Sequence, residues 1–489
     1  MSTMPPRIVI VGAGPAGIRA AQTLVAAGLR PTVIDENARW GGQIYRQPAV
    51  GASFARTKAA LYGFEAKKAD AVHEAMAHVL PQIDYRPDTL AWSCEPGRLD
   101  VLHEGREASV PWSNLIIASG ATDRVVPLPG WTLPGVYTLG GAQVALKAQG
   151  CAIGQRTVLA GTGPLLYLVA YQYAKAGAQV AAVLDTSPFA RQAAATPKLL
   201  NQPGTFAKGV YYVAWLRTHG VRIERGVSLT GIEGAPAVQA IRWQSADGAK
   251  QTLACDAVGL GYGLRPETQL ADLAGCSFAF DALNRCWLPE RDAAGRSSVK
   301  GVYLAGDGAS IAGADAAELA GRRAALAVLE DLGVALPGRD ARSTHSAQTA
   351  HCAPAPDAAT IDKRLKRIAR FRAGIEQAFA PPAQCAAHWP DDLTVCRCEE
   401  VSAGTLRSCI RSGLATEVNR LKALTRIGMG RCQGRMCGES AMALLSAETG
   451  KPLHEVGRLR SQAPVKPIPI SPLLFEDGVR IVEEEAHDE

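Results

Sequence analysis

Four cysteines late in the chain have a spacing that could hold a metal centre. One residue separates Cys396 from Cys398, and 33 residues further on Cys432 and Cys437 enclose four residues. Four thiolates can ligate zinc or an iron–sulfur cluster. Structural zinc sites commonly use pairs separated by two residues, and neither pair has that spacing. The sequence therefore favours a [2Fe–2S] cluster, with zinc and a metal-free fold as the alternatives.

The surroundings of the second cysteine pair suit an anionic cluster. A helix predicted over 439–449 points its positive end at Cys437, and helices predicted over 405–412 and 416–425 lie between the pairs. Frequent glycines let backbone N–H groups approach cluster sulfides, and three arginines add positive charge. These residues are Gly428, Gly430, Gly434 and Gly438, with Arg397, Arg431 and Arg435.

The start of the chain carries a glycine-rich turn of the kind that holds a dinucleotide. An apolar strand at 7–11 precedes the turn, and a helix and a second strand follow it. Its residues are Gly12, Gly14, Pro15, Ala16 and Gly17. In such turns the first glycine permits the bend, the second admits the pyrophosphate and the third lets the helix pack on the strand. Free N–H groups at the helix start bind phosphate. Asp35, closely followed by Glu36, is predicted to accept the ribose hydroxyls.

Three downstream features favour FAD over NAD at this turn. A Trp-Gly-Gly-Gln segment follows the acid and suits a flat ring, a strand at 115–121 ends in small residues, and a strand at 302–308 ends in Gly-Asp-Gly. The residues singled out are Gly42, Gln43, Ala118, Gly120, Gly306 and Asp307. Together the features resemble FAD enzymes with two dinucleotide-binding domains. That resemblance implies that Asp307 binds the flavin's ribityl chain and that the turn at 118–120 lies near the cofactor.

A second strand–turn–helix unit begins at Thr157. It contains Gly161 and Gly163, but Leu166 stands where a third glycine would be, and Tyr167 follows. A bulky residue there is expected to push the helix away from the strand and narrow the phosphate site. The sequence therefore argues against NAD(P) binding and leaves another adenine nucleotide open. Residues 1–335 also contain no C-x-x-C or C-x4-C pair, which argues against disulfide reduction.

Composition sets the broad class of protein. The chain of 489 residues is 47% hydrophobic and 20% charged, as expected for a globular protein of several domains. The net charge of +6 comes without a basic run interleaved with aromatics, which argues against nucleic acid as a partner. No apolar run approaches the ~20 residues that span a bilayer. With no targeting segment, we expect a cytoplasmic protein, and leave open a peripheral position at the inner face of the membrane.

These features predict an α/β protein, a flavoprotein with two dinucleotide-binding (Rossmann-like) domains and a small C-terminal helical [2Fe–2S] domain. The predicted parts are an FAD-binding domain at 1–154 and 265–336, an inserted second nucleotide-binding-like domain at 155–264, a linker at 337–360, the helical [2Fe–2S] domain at 361–455 and a C-terminal tail at 456–489.

The cysteine segments resemble a known module. CRCEE at 396–400 and GMGRCQGRMCG at 428–438 are similar to bacterioferritin-associated ferredoxin, in the form fused to the flavoprotein subunits of opine oxidases, hydrogen cyanide synthase and hydroxyproline dehydrogenases. GGQIY at 41–45 and the proline-rich stretch at 464–472 resemble the same family, and the order of parts matches over nearly the whole chain.

The resemblance implies an alpha subunit of a hetero-oligomeric amino-acid, imino-acid or opine dehydrogenase. Its partner would be a flavoprotein beta subunit resembling glycine and sarcosine oxidases, which oxidises a C–N bond to an imine. FAD and [2Fe–2S] in this chain would relay the electrons to a quinone or another acceptor. A small gamma [2Fe–2S] subunit is left open, and so is an FMN at a subunit interface.

Two other functions compete with this one. The chain could be a stand-alone NAD(P)H-dependent FAD/[2Fe–2S] reductase, or a regulatory scaffold with a zinc-bound module. The sequence assigns no catalytic acid–base residue.

Overall fold

The computed structural model describes residues 5–49, 51, 54, 56–336, 356–382 and 385–469. The strands are β1 (Ile8–Val11), β2 (Thr32–Ile34), β3 (Asp84–Arg86), β4 (Thr89–Glu95), β5 (Arg98–His103), β6 (Arg106–Pro111), β7 (Asn114–Ile117), β8 (Ala121–Asp123), β9 (Val136–Thr138), β10 (Arg156–Thr162), β11 (Gln179–Asp185), β12 (Arg222–Arg225), β13 (Ser228–Glu233), β14 (Ala240–Gln244), β15 (Lys250–Ala254), β16 (Ala257–Tyr262), β17 (Leu264–Pro266), β18 (Phe278–Asp281), β19 (Cys286–Pro289), β20 (Val302–Leu304), β21 (Thr394–Cys396) and β22 (Val401–Ser402).

The helices are α1 (Pro15–Ala26), α2 (Lys58–Tyr62), α3 (Ala66–Val79), α4 (Leu139–Val144), α5 (Pro164–Ala176), α6 (Phe189–Leu199), α7 (Pro203–Thr218), α8 (Gln269–Leu273), α9 (Ala314–Leu332), α10 (Ala358–Ala378), α11 (Ala403–Arg411), α12 (Val418–Thr425) and α13 (Gly438–Thr449). No helix among the described residues combines the length and the apolar composition needed to span a bilayer.

The first sheet is parallel, with the strand order β20-β7-β1-β2-β3. Every residue of β1 and β7 is buried, as expected for strands covered on both faces. Val11 pairs with Ile117, which in turn pairs with Leu304, so the carboxyl ends of three strands coincide. The first glycine turn, the turn at 118–120 and the Gly-Asp-Gly turn therefore lie at one edge of the sheet.

The second sheet is also parallel, with the order β12-β11-β10-β16-β9, and a three-stranded antiparallel sheet of β13, β14 and β15 accompanies it. These two parallel sheets confirm the predicted α/β fold class. Strand β9, which precedes the boundary predicted at residue 154, pairs with β16 at the edge of the second sheet. The glycine-turn pattern marks only the first strand of such a unit, so it gave no sign of a short edge strand earlier in the chain.

Helix α10 begins inside the stretch 337–360 that the sequence assigns to a linker, of which residues 337–355 lie outside the described part. Asp357 caps the helix, since its side chain accepts a hydrogen bond from the Thr360 N–H (2.7 Å). The cap makes Ala358 the first residue of the helix.

The same helix lies apart from the domain to which the sequence assigns it. Ile361, Ile368 and Ile375 are spaced by seven residues and share one face. Ile361 and Ile368 pack with Leu319 of α9, and Ile375 packs with Leu199 of α6. Helix α10 therefore bridges the two nucleotide-type units.

The cysteine segments lie in a small unit of β21, β22, α11, α12 and α13. The three predicted helices are confirmed, with starts shifted by up to two residues where Ser402 and Glu417 cap α11 and α12. Buried residues of this unit, among them Leu406 and Leu444, form one apolar cluster with Val158 of the second sheet. The unit therefore packs directly on the nucleotide-type domains.

Candidate functional site: one cavity from the glycine turn to the cysteines

A cavity of about 1590 Å³ runs through the centre of the molecule. Its walls include residues of the first glycine turn, the strand-end acids, the two small-residue turns and the cysteine loops. Representative lining residues are Gly12, Gly14, Glu36, Gly120, Asp307, Cys398 and Cys432. The volume exceeds the ~300–1,000 Å³ typical of a single small-ligand pocket.

The first turn leaves its phosphate-facing side open. The Gly12 N–H donates to the Ile34 carbonyl (2.7 Å). A Cβ on Gly17 would overlap the Gly12 carbonyl oxygen, whereas a Cβ on Gly14 would meet only the Gly42 Cα, at an ordinary 3.6 Å. Gly17 is therefore required by the protein itself, while the space beside Gly14 can receive a ligand.

The two acids that follow β2 have different surroundings. Asp35 is only 6% exposed, and its carboxylate accepts hydrogen bonds from the Ala13 N–H (2.6 Å) and from the backbone and side-chain nitrogens of Asn37 (2.7 and 2.8 Å). The Glu36 side chain is 42% exposed and pairs with Lys466. Both acids line the cavity, and Asp35 also braces the turn.

The glycine-rich loop after these acids stacks on the phosphate turn. The Gly41 N–H donates to the Ala13 carbonyl (2.9 Å). Gly42 has φ +63°, and a Cβ there would come within 2.9 Å of the Gly14 Cα. The exposed Gln43 offers its side-chain oxygen to Arg46 (2.8 and 3.2 Å). The loop therefore presents backbone to the cavity, as a flat ring would require.

Two buried side chains that the sequence did not single out support this loop. His73 Nε2 lies 2.7 Å from the Tyr45 carbonyl, and Lys147 Nζ donates to the Ile44 carbonyl (3.0 Å). Burial, with the nearby charge of Arg46, lowers the pKa of Lys147 to about 7. Burial also lowers the pKa of His73. A lone His and a lone Lys within helical sequence give no signal of such a role.

Two further turns, at 118–120 and at Gly306–Gly308, contact each other and form another part of the cavity wall. A Cβ on Gly308 would approach Ser119 Oγ to 2.6 Å, so the two turns are in close contact. Asp307 accepts hydrogen bonds from the N–H groups of Ala312 (2.8 Å) and Gly313 (2.9 Å). Burial raises the pKa of Asp307, and these two hydrogen bonds oppose that rise. The predicted residues Ala118, Gly120, Gly306 and Asp307 are thus brought to the same cavity.

The second glycine turn is built differently. Leu166 is fully buried, and Tyr167 Oη donates to Asp185, the acid that ends the second strand of this unit (2.6 Å). Asp185 also accepts from the Ser187 N–H (2.8 Å) and Gln192 (2.9 Å), and it is 0% exposed. The acid that would bind a ribose in such a unit therefore points into the protein.

The four cysteines meet in a chain of contacts. Cys398 lies in hydrogen-bonding contact with Cys432, Cys432 with Cys437, and Cys437 with Cys396. Among the described residues, no group of three or more His, Cys, Asp or Glu side chains is arranged to hold a metal ion. The contacts bring all four cysteines into one group, and four thiolates are the ligand set of a [2Fe–2S] cluster.

Hydrogen bonds favour the ionised form of two of the four sulfurs, those of Cys396 and Cys432, whereas burial raises the pKa of Cys398 and the contacts with Cys396 and Cys432 raise that of Cys437. The Cys437 thiol, followed by the backbone N–H of Gly428, lowers the pKa of Cys396 to about 6. The same thiol and the N–H groups of Met436 and Gly434 lower the pKa of Cys432 to about 5. These backbone donors are suited to thiolate ligands and to the sulfides of an anionic cluster.

An ion pair connects the cysteine loop to the wall at 118–120. Arg435, which lies between Cys432 and Cys437, donates to the Glu267 carboxylate (2.6 and 3.2 Å). The Glu267 N–H donates to the Gly120 carbonyl (2.9 Å), and the Arg435 N–H donates to the Cys432 carbonyl (3.0 Å). Two ion-paired side chains thus fix the distance between the two parts of the cavity.

A second set of contacts fixes the start of α13. The buried Arg124 donates to Glu439 (2.7 Å), in the first turn of that helix, and to the Asn284 carbonyl (2.8 Å). Arg265 donates to the Arg435 carbonyl (3.1 Å). Glu439 follows Cys437 by two residues, so these contacts hold the position of the last cysteine. Sequence patterns gave no signal of these arginine–glutamate pairs, because their partners lie far apart in the chain.

Comparisons with known proteins agree with this architecture. Residues 6–328 match the family described as "Pyridine nucleotide-disulphide oxidoreductase", and residues 394–447 match the "BFD-like [2Fe-2S] binding domain". An opine oxidase subunit from Agrobacterium tumefaciens is 36% identical over 95% of this chain and 91% of its own length. Hydrogen cyanide synthase subunit HcnB of Pseudomonas protegens is 34% identical over 95% of this chain and 96% of its own.

More distant relatives share the fold. The crystal structure of L-proline dehydrogenase from P. horikoshii superposes with a TM-score of 0.69 and 19% identity, covering 96% of this chain and 79% of that one. The alpha subunit of sarcosine oxidase from Rhizobium meliloti is 23% identical over 92% of this chain, which spans 40% of that protein. The chain therefore belongs to the pyridine nucleotide-disulphide oxidoreductase family of flavin-dependent oxidoreductases, in the group of these opine oxidase and HcnB subunits, and it carries a BFD-like [2Fe–2S] binding domain.

Proposed function

We propose that this chain is the electron-transfer subunit of a complex that oxidises an amine, imino acid or opine. FAD would occupy the cavity at the first glycine turn, and a [2Fe–2S] cluster would be held by the four cysteines. A partner flavoprotein subunit would oxidise the substrate. The observation that carries the proposal is the single cavity that reaches both the first glycine turn and Cys398 and Cys432.

The residues present fit both groups. The open side of Gly14, the exposed backbone of the loop at 41–43 and the donors around Asp307 suit a dinucleotide with a flat ring. The directed N–H groups at the cysteines suit a cluster. The residues proposed to bind FAD are Gly12, Gly14, Pro15, Ala16, Gly17, Asp35, Glu36, Gly42, Gln43, Ala118, Gly120, Gly306 and Asp307. The proposed cluster ligands are Cys396, Cys398, Cys432 and Cys437.

FAD would supply a carrier that accepts electrons in pairs and can release them singly, and a [2Fe–2S] cluster would exchange them singly, so together they would connect two-electron to one-electron chemistry. Oxidation of an amine to an imine releases two electrons and two protons, and a quinone acceptor takes up the same number. The protein's contribution is to keep the two sites close to each other. The Arg435–Glu267 pair, with side chains 14% and 12% exposed, performs that task between the cysteine loop and the turn at 118–120.

The second glycine turn supports a partner flavoprotein, rather than NAD(P)H, as the electron source. Tyr167 and Gln192 hold the Asp185 carboxylate inside the protein, which removes the acid that an NAD ribose would use. Helix α10 lines the cavity between the two nucleotide-type units with Phe371 and Arg372. Electrons supplied by a partner require no nicotinamide site. The similarity to proteins named as subunits of opine oxidase and of hydrogen cyanide synthase points the same way.

The proposal is tested by co-expressing the chain with a candidate partner flavoprotein and recording anaerobic absorption spectra. We expect the flavin and cluster bands of the complex to bleach when an oxidisable amine, imino acid or opine is added. The isolated chain should not bleach with NADH or NADPH at the same concentration.

Two results would contradict the proposal. Rapid bleaching of the isolated chain by NADH would favour a stand-alone reductase. A colourless protein that contains zinc and no iron would favour a scaffold. Analysis of the flavin released from the complex also shows whether FMN accompanies FAD.

A further inference from the structure

The described part of the C-terminal tail returns from the cysteine unit to the first sheet. Arg458 donates two hydrogen bonds to Asp272 (2.7 and 2.8 Å), and the Ser461 N–H donates to the same carboxylate (2.7 Å). This double anchor holds the start of the tail against the flavin-side domain. It lowers the pKa of Asp272 against the effect of burial, as expected for a carboxylate with several donors.

Val465 is inserted into the core of the first sheet. It is 2% exposed and packs in the apolar cluster that contains Ile34 and Ala91. Its N–H donates to the Trp92 carbonyl (2.9 Å), and its carbonyl accepts from Arg435 of the cysteine loop (2.6 Å). The tail is therefore bound through its side chain and through both of its backbone polar groups.

Lys466 follows at the wall of the cavity. Its ammonium pairs with Glu36, the acid at the end of β2, and both residues line the cavity that contains Gly12 and Gly14. In dinucleotide-binding units the acid at this position faces the ribose of the adenosine half. A cation beside it orients the carboxylate and offsets its negative charge near a pyrophosphate dianion. Burial lowers the pKa of Lys466 to about 8, and its side chain is 29% exposed.

We propose that Val465 and Lys466 form a strap over the adenosine half of the flavin site, and that this strap must lift before FAD can leave. The proposal rests on the proposed function, since it requires FAD at the first glycine turn. The strap is held by Arg435, which also contacts Glu267 and the Cys432 carbonyl. Arg435 thereby links the cysteine loop to the strap that would retain FAD.

The test measures the rate at which FAD leaves the full holoprotein, from the rise in free-FAD fluorescence after dilution. Lys466→Ala is expected to accelerate release about tenfold, equivalent to about 1.4 kcal/mol. A chain that ends at Pro464, without the strap, should release FAD faster still. Lys466→Arg keeps the charge, and a chain that ends at Pro469 keeps the strap; both should stay within about twofold of wild type.

Different outcomes would refute the strap proposal and the proposed function on which it rests. Wild-type release rates in both Lys466→Ala and the chain ending at Pro464 would overturn the strap and leave FAD binding intact. If the chain ending at Pro464 fails to fold, Lys466→Ala decides alone. A wild-type protein purified without FAD, and unable to take it up, would refute the proposed function, and the strap would be refuted with it.

Discussion

The two glycine turns of this chain begin alike and end differently. Both follow a central parallel strand and open a helix with proline. In the first turn, Asp35 braces Ala13 from behind and Glu36 remains at the cavity. In the second turn, Tyr167 reaches across to Asp185 and holds it in the interior. The same local fold therefore leaves one turn with an available acid and the other without.

The difference shows that the glycines of such a turn are not sufficient to form a nucleotide-binding site. Gly161 has the positive φ angle and the close backbone contact that Gly12 has in the first turn, and Gly163 also has a positive φ angle but has open space around it. What changes is the pair Leu166 and Tyr167, which places apolar volume and a hydroxyl where a third glycine and its neighbour would be. One phenol oxygen then satisfies the strand-end acid, a role that a ribose hydroxyl would otherwise have.

The largest effect is expected from a substitution in the first turn, which tests whether that turn binds FAD. Gly14→Val places a side chain where phosphate would lie, and the Cβ of that side chain meets only the Gly42 Cα, at 3.6 Å. We expect a folded protein that has lost nearly all of its FAD, measured as the ratio of flavin to protein absorbance. Normal flavin content would show that the first turn is not the FAD site.

Gly163 occupies in the second turn the position that Gly14 has in the first, and a substitution there is the control. Gly163 has open space around a Cβ but a φ of +112°, so Gly163→Ala should cost about 1 kcal/mol of stability through backbone strain. Its FAD content should equal that of wild type. Loss of FAD in this variant would mean that the two turns share one ligand.

Tyr167→Phe tests the closure of the second turn. It removes one of the three hydrogen-bond donors to the buried Asp185 carboxylate, the others being the Ser187 N–H and Gln192, which should lower the free energy of unfolding by about 1–3 kcal/mol. The measurement is the thermal unfolding midpoint, with FAD content unchanged. Stability equal to wild type would show that this hydrogen bond does not hold the acid in place.

Lys147→Met tests the support beneath the first turn. Lys147 has a pKa near 7 in the folded protein and about 10.4 when unfolded. Between these values the unfolded chain binds the proton and the native chain does not, so stability gains up to about 1.4 kcal/mol per pH unit as pH rises. The stability of wild type relative to Lys147→Met should therefore increase between pH 7.5 and 9.5. A constant difference would indicate that the amine stays charged when buried.

Sequence patterns predict structural features that depend on residues close together in the chain. The strands, turns and helices of both nucleotide-type units follow from periodicity and glycine spacing, and the helices around the cysteines follow from their caps. Leu166 already marks the second turn as unusual. These features depend on neighbours within about ten residues, and a single sequence contains that information.

Contacts between distant segments were beyond prediction from one sequence. Arg435 meets Glu267, Arg124 meets Glu439, and Lys466 meets Glu36, each across more than 160 residues. The different surroundings of Asp35 and Glu36 have the same origin, because they depend on which side of β2 faces Ala13. Charge types alone cannot show which of 52 basic and 46 acidic residues will pair.

The central claim is that one chain holds both an electron-pair carrier and a single-electron carrier. An anaerobic titration of the purified chain with dithionite, followed at the flavin and cluster absorption bands, tests it most directly. The account predicts about three electrons per chain, two for FAD and one for [2Fe–2S], and about two in Cys432→Ser with FAD retained. Uptake of two electrons by the wild-type chain, with no change in Cys432→Ser, would contradict the account.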